Sequence, residues 1–290
     1  MDQPVYEIHR TLLDEGVSLC SLSTMHRILR ERGESGERRN RREPQHHAIP
    51  RLAASAPHDV WTWDCSKLRT VEPTAYLTLY AVIDLFSRYV LAWMISTKEN
   101  SSLANQLMSE AACRYGIQPN QLTVHQDRGA PMTAHRYIDQ MVDLGIVLSH
   151  SRPRVSNDNP MSESQFATLK GQPDYLGRFM NAAHSRTWHE RYFDWYNNHH
   201  HHKGLAGYTP EQVFTGRHRE IIKIRQAALT ENYNRHPQRF VAGPPVAKAP
   251  PERVVINPYT PDEIEELGAN ALVNFPTKSN VKEKMKLSPH

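Results

Sequence analysis

Cysteine is scarce in this chain of 290 residues: Cys20, Cys65 and Cys113 lie far apart, and no CxxC pair occurs. That pattern argues against a structural zinc finger and fits a reducing cytoplasm, where thiols stay free. No apolar run approaches the roughly 18 residues of a membrane-spanning helix, and the N-terminus lacks a signal-peptide pattern. A cytoplasmic protein with no membrane partner is therefore expected. Apolar residues are also few for a single compact globule, 39%, so part of the chain is expected to be linker or tail. Internal repeats are absent. Charge of neither sign dominates: the formal balance is +4 and the sequence pI is near 8.9. Such a balance permits a polyanionic partner without demanding one. The length suffices for one large domain or two smaller ones.

Periodicity supplies the organisation. Val5, Ile8, Leu12 and Leu13 mark one side of a helix that stops at Gly16. Leu22, Met25, Ile28 and Leu29 mark a second, which follows a Ser21–Ser23 cap region and stops at Gly33. Two amphipathic helices joined by a short turn suit a helix-turn-helix presenting Ser23, Thr24, His26 and Arg27, although an ordinary helical hairpin has the same pattern. Arg38, Arg39, Arg41 and Arg42 follow in a run that cannot bury itself, either a solvated linker or an arm that tracks phosphates. Near His58 the composition turns to Trp, Tyr, Val and Leu. Val60–Cys65, Tyr76–Asp84 and Tyr89–Ile95 read as three strands of an antiparallel meander. Helices over Ser101–Tyr115 and Thr133–Leu144 then alternate with short strands at Leu122–His125 and Ile146–Ser149. This order predicts a mixed α/β domain with a central sheet flanked by helices. Further helices are expected at Asn181–His200, after the Thr209-Pro210-Glu211 cap, and from Arg217 to about Asn234. The expected divisions are a helical region at 1–36, a basic linker at 37–57, the α/β core at 58–216, a helical extension at 217–242 and a Pro-rich disordered tail at 243–290.

The chemistry converges on three carboxylates. In RVSNDNPMSESQFATLK (154–170), Asn159 is a good N-cap and Pro160 suits the first helical position, whose N–H would be orphaned in any case. Glu163 then falls in the first turn, where the helix dipole favours a carboxylate. Lys170, seven residues on, points from the same face about 10 Å further along. Asp64 sits among bulky apolar neighbours in a strand, an odd place for an unpaired charge. Asp127 follows a short strand and opens a loop, where α/β sheets place functional residues. Three carboxylates brought together cannot all ionise without a cation, and hard oxygen ligands select Mg²⁺ or Mn²⁺. Two such ions would suit phosphodiester chemistry. For any one of these acids alone, a capped turn or a surface charge is the simpler explanation.

The segments WTWDCSKL, AVIDLFSRYVLAW, HQDRGAPM, SNDNPMSESQFATLK and FDWYNNHHHHKGLAGYTPEQVF resemble the integrase-like DDE transposases of bacterial insertion sequences, relatives of retroviral integrase. Thirty-five residues separate Asp127 from Glu163, the spacing that names the family, and several motifs occur in the right order from Val60 to Phe214. The resemblance implies an RNase H-like core and assigns Asp64, Asp127 and Glu163 as catalytic metal ligands for two Mg²⁺ or Mn²⁺ ions. It assigns Lys170 to transposon-end DNA and suggests that the N-terminal helix pair, with Arg27, and the Arg38–Arg42 arm bind DNA. The implied reaction is nicking at the element's ends followed by attack of the freed 3′-hydroxyl on target DNA. The implied partners are double-stranded DNA, further copies of the same chain assembled on it, and a helix-turn-helix protein from a separate upstream reading frame. The implied location is the nucleoid of a bacterial cytoplasm. A nuclease that cuts without joining, and an inactive DNA-binding derivative, remain the alternatives. No HHCC-type zinc module is present, so the likeness to viral integrases stops at the core.

Three neighbouring features compete for attention. Asp84, in VIDLFSR, reads as structural, with Arg88 as the expected partner. Asp158 is the rival third acid and is expected to cap or shape the loop before Pro160. His199–His202 has the composition of a metal tract. His202 matches the family's His while His199 and His201 depart from its pattern, and a helix C-terminus favours cationic His over a zinc site.

Overall fold

The computed structural model describes residues 3–34 and 47–267, and the chain divides after His46 into two units. The first contains the helix pair, α1 (Val5–Asp14) and α2 (Leu22–Glu31). Ser21 Oγ accepts the Thr24 N–H at 3.2 Å, the cap expected from the sequence. Gly16 and Gly33 turn the chain out of each helix with φ of 78° and 69°, a conformation that only glycine adopts without strain. Arg27 pairs with Glu31 one turn on at 2.9 Å, on the exposed surface. The run Arg38, Arg39, Arg41 and Arg42 lies outside the described residues.

The second unit is built on β2 (Val60–Arg69). Before it comes β1 (Leu52–Ala54), and after it β3 (Tyr76–Asp84), β4 (Val90–Ser96), α3 (Ser101–Arg114), β5 (Thr123–Gln126), the short α4 (Ala130–Thr133), α5 (His135–Asp143) and β6 (Val147–His150). The main sheet runs β4-β3-β2-β5-β6. β2, β3 and β4 are antiparallel, with Asp64 opposite Ala81. β5 and β6 run parallel to β2, with Trp63 opposite Gln126 and Gln126 opposite His150. Helices cover both faces, which is why the central strands read as nearly continuous apolar text. On one face Trp61, Trp63, Tyr80 and Val82 pack against α3 and α5. On the other Leu68, Leu79, Ala81 and Ile83 meet α6 (Pro160–Lys170) and α7 (Ala182–Asn198) through Phe166, Leu169, Trp188 and Tyr192. Trp61 and Trp63 are fully buried. Each indole contributes roughly 4–6 kcal/mol of area-based burial, an upper bound before entropy is charged. This mixed five-stranded sheet between helical layers is the RNase H-like arrangement expected.

The C-terminal third departs from expectation. α8 (Pro210–Phe214) carries a full capping box between Thr209 and Gln212, and α9 (His218–Arg235) buries no residue, as its polar sequence required. The stretch expected to be a disordered tail, however, contains β7 (Val254–Ile256) and α10 (Pro261–Leu267). β7 pairs antiparallel with β1, inside the expected linker, with Leu52 opposite Ile256. Val254 and Ile256 are buried with Leu52, Ala54, Leu85, Leu205 and Tyr208 in a third core. Three β-branched residues form this strand against β1, a partner about two hundred positions away. Such non-local pairing leaves no local pattern in Pro-rich text.

Candidate active site

The sheet register places two of the acids. β5 pairs with β2 only over Val60–Trp63, and Trp63 faces Gln126. Asp64 and Asp127 are the next residue on each of two adjacent parallel strands, which lie about 4.8 Å apart. β2 continues to Arg69, further than its apolar text suggested, so Asp64 marks the end of the β5 ladder rather than the end of its strand. The third acid comes from α6, which packs on β2. Pro160 occupies its start, Glu163 its first turn and Lys170 its last, and both charged side chains are exposed, as their spacing on one face requires. Asn159 occupies the N-cap position, but its side chain makes no capping hydrogen bond. Its side chain turns inward and donates to the Trp63 carbonyl at 3.4 Å, leaving its own buried Oδ1 without a hydrogen-bond partner. Asp64, Asp127 and Glu163 all line one open cavity of about 720 Å³.

Asp64, Asp127 and Glu163 are short of partners of opposite charge. Burial pushes the Asp64 carboxyl up to about 7, with the charges of Asp127, Glu163 and Glu99 adding to the shift and the Cys65 N–H opposing it. That N–H reaches Asp64 Oδ1 at 2.7 Å. Glu163 is also raised, by burial and then by Asp127. Asp127 is oriented by Ser151, whose Oγ donates to Oδ1 at 2.6 Å. Among the described residues no Arg or Lys forms an ion pair with any of the three. The donor set is all oxygen, which suits a hard dication, and the raised Asp64 is the signature of carboxylates that a cation would relieve. Among the described residues, no three His, Cys, Asp or Glu side chains are drawn together closely enough to hold an ion as they stand. Donor chemistry and charge fit Mg²⁺ or Mn²⁺; the side chains still have to close on it.

The competing acids are satisfied elsewhere. Asp84 is buried and accepts the His58 N–H at 2.8 Å, the Ser87 N–H at 2.8 Å and the Ser87 hydroxyl at 2.6 Å. Arg88, its expected partner, instead donates to the Leu85 carbonyl, so its guanidinium acts on Asp84 only through its charge. Burial still holds Asp84 up at about 6 against these hydrogen bonds. Asp158 is buried and shapes the loop: the Arg152 N–H, Nε and Nη2 all donate to it at 2.9 Å. Burial alone would raise Asp158, but the hydrogen bonds from Arg152 and Asn257 bring it down to about 2. The histidine tract is not cationic throughout. Burial, then Arg88 and His200, push His202 down to about 4, and its neutral Nδ1 accepts the Gly204 N–H at 3.1 Å as the cap of a short turn.

Sequence reasoning missed Glu99, Ser151 and the Arg152–Asp158 clamp. Glu99 reaches the cavity from the turn before α3, and Ser151 does so because its N–H joins the Gln126 carbonyl at 2.9 Å, extending β6 beside β5. Nothing local distinguishes these residues from ordinary loop polars. Behind Asp127, Gln126 Oε1 accepts from Trp63 Nε1 at 2.6 Å and from Tyr137 at 2.8 Å, which fixes the end of β5 in the core.

Two overlapping matches to the family described as integrase core domain cover residues 54–156 and 144–210. The chain is 33% identical over 165 residues to the transposase for insertion sequence element IS904 of Lactococcus lactis, covering 54% of this chain and 62% of that protein. It is 32% identical over 160 residues to the transposase InsF for insertion sequence IS3A of Escherichia coli, covering 55% of this chain and 54% of that protein. The match thus spans about half to three fifths of the length of these relatives. Among solved structures, the HTLV-2 integrase catalytic core domain in complex with magnesium is similar with a TM-score of 0.42 and 15% identity, over 55% of this chain and 97% of that one. By the two core matches, which together span residues 54–210, the chain belongs to the integrase core family, and the curated relatives it is similar to are transposases of bacterial insertion sequences.

Proposed function

We propose that this protein cuts DNA at the ends of an insertion sequence and joins the freed 3′-hydroxyl to target DNA, with Asp64, Asp127 and Glu163 as the ligands of two divalent metal ions. One observation carries the reading. The residues just past the β2–β5 ladder, Asp64 and Asp127, and the first turn of α6 bring three carboxylates to one cavity, where no described Arg or Lys pairs with them. When bound there, Mg²⁺ or Mn²⁺ supplies the charge that activates a water or 3′-hydroxyl and stabilises the leaving oxygen. The chain's own part is to hold and orient. Ser151 fixes the Asp127 carboxylate, and the buried Gln126 network fixes the strand end that carries it. α6 presents Glu163 toward the cavity and Lys170 further along the same exposed face, where its ammonium can reach a phosphate of the transposon end.

The same reading gives the helix pair of residues 1–36, including Arg27, and the arm Arg38, Arg39, Arg41 and Arg42 a role in holding double-stranded DNA. Further copies of the chain would assemble on that DNA, and a separately encoded helix-turn-helix protein would act with it, in the bacterial cytoplasm. Positioning and electrostatic stabilisation account for such chemistry without a covalent enzyme intermediate. The test is incubation of the protein with labelled terminal-repeat DNA and Mg²⁺ or Mn²⁺. Metal-dependent nicks together with strand-transfer products are expected. Nicks without joined products would make the protein a nuclease, and end binding without cutting under any divalent metal would make it a DNA-binding derivative.

A further inference from the structure

Asp158 stands where three parts of the second unit meet. Its carboxylate takes the three Arg152 donors from within the loop 151–159. Its Oδ1 also accepts Asn257 Nδ2 at 2.8 Å, from just beyond β7. Its backbone carbonyl lies 2.8 Å from His125 Nε2 on β5. A carbonyl only accepts, so His125 carries its proton on Nε2. Because burial lowers its pKa, the ring is neutral and Nδ1 accepts from the Ser149 hydroxyl at 3.0 Å. The loop is therefore tied at one end to Asp127 through Ser151 and at the other to β5 and the C-terminal segment. Glu163 lies in the helical turn that follows directly.

Asn257 is built for this junction. Its φ is +51°, a left-handed conformation that Asn tolerates better than most residues. An Asn amide offers two N–H donors; here one goes to Asp158 and the other to the Pro50 carbonyl at 2.9 Å, beside β1. Arg51 donates to the Asn257 carbonyl at 3.2 Å, stacks 3.9 Å over the Tyr259 ring and pairs with Glu263 on α10. The segment around β7 thus reaches the loop that leads into the helix of Glu163 without touching an acid of the cavity.

We infer that Asn257 is a positioning residue: acting through Asp158 and Arg152, it sets the loop 151–159 and hence the placement of Glu163, so that the folded C-terminal segment is part of the catalytic apparatus. The activity half of this inference rests on the proposed function; the structural half does not. Full-length protein carrying Asn257→Gly, which accepts the positive φ and removes the side chain with both amide donors, is compared with wild type in two measurements. Hydrogen exchange should quicken across residues 152–163 while β2 and β3 keep their protection. Nicking at saturating end DNA should fall several-fold with end affinity unchanged, less than the roughly 10–100-fold typical of a direct partner of a metal ligand, because Asn257 acts through Asp158 and Arg152. Combining Asn257→Gly with Asp158→Asn should add little to Asp158→Asn alone, because both cut one connection. Glu263→Gln, a milder variant that weakens the pair with Arg51 and the Thr260 N–H contact at the start of α10, should show a smaller change of the same kind. Unchanged exchange in 152–163, or exchange rising equally through β2 and β3, would overturn the inference. If wild-type protein never cuts its ends while the exchange result holds, the proposed function falls and the coupling stands.

Discussion

Asp64 and Asp158 are carboxylates of the same unit, both drawn out of bulk water, and they are treated in opposite ways. Asp158 sits at the back of a loop, with an arginine fork, a backbone N–H and an amide all directed at it, and it is stabilised as an anion at about 2. Asp64 faces an open cavity with one neighbouring N–H and three other carboxylates in range, and it is held up at about 7. The first arrangement is how a protein uses a charge for structure: desolvation is offset by partners supplied from the chain. The second leaves the offset to something outside the chain. The residue type is the same in both; the supply of partners differs, and that difference separates a clamp from a site.

The sharpest way to break this contrast is to remove one charge at each place. Asp64→Asn, Asp127→Asn and Glu163→Gln should each take cleavage and joining to background. The loss should exceed the roughly 10–100-fold typical of a metal ligand's outer partners, because an amide is a weak ligand for a hard dication. Thermal stability should hold or rise, since mutual repulsion is relieved. Asp158→Asn should do the reverse first: it takes the anion from the Arg152 fork and should lower stability, read by chemical denaturation. A loss of fold in the first set, or none in the second, would erase the distinction drawn between the two carboxylates.

Acidity sharpens the same comparison. Asp64 has a folded value raised above its unfolded one, so its ionisation works against folding. That penalty is absent below about pH 4 and complete above about pH 7. Stability of the metal-free protein should therefore fall through this window from the Asp64 contribution, and the margin of Asp64→Asn over wild type should widen from pH 4 to pH 7. Asp158 has a lowered value, so its contribution is present above about pH 4 and is lost as pH falls through about 2. Melting temperatures across pH 2–8 for wild type, Asp64→Asn and Asp158→Asn check both signs.

Much of this was legible in the sequence, for a physical reason. Strands β2, β3 and β4 and helix α6 announce themselves through local periodicity and turn signals; Asp64 stands out because its strand neighbours are bulky and apolar, and Asp127 because it opens a loop after a short strand. What stayed hidden is what depends on distant partners. Val254 and Ile256 look like loop residues until β1 is placed beside them. Ser151 is one serine among many until β6 lies against β5. Asn159 looks like a cap by type, yet the fold turns its side chain to Trp63, and His202 looks cationic by position, yet burial beside Arg88 neutralises it. Ser151→Ala follows from that hidden hydrogen bond. It should leave the fold intact and slow nicking about tenfold by freeing the Asp127 carboxylate, measured at saturating metal and DNA.

Lys170→Ala should give the smallest effect and the most different one. The ammonium lies in the last turn of α6, exposed, seven residues from Glu163 and on the same face, and it does not line the cavity that holds the three acids. On the proposed function, its removal takes away a point charge placed to reach phosphate and leaves the three proposed metal ligands in place. End-DNA affinity should weaken by a few-fold, and the slope of log K against log salt should flatten by about 0.9, the share of one neutralised phosphate. Nicking at saturating DNA should stay near wild type, with metal dependence unchanged. Replacing Arg38, Arg39, Arg41 and Arg42 together by Ala should flatten the slope by up to about 0.9 for each phosphate no longer neutralised, across specific and unrelated DNA alike. Were Lys170→Ala instead to abolish nicking at saturating DNA while binding survived, the lysine would belong with Asp64 and Glu163 in the chemistry, and the division of α6 into a metal end and a phosphate end would fail.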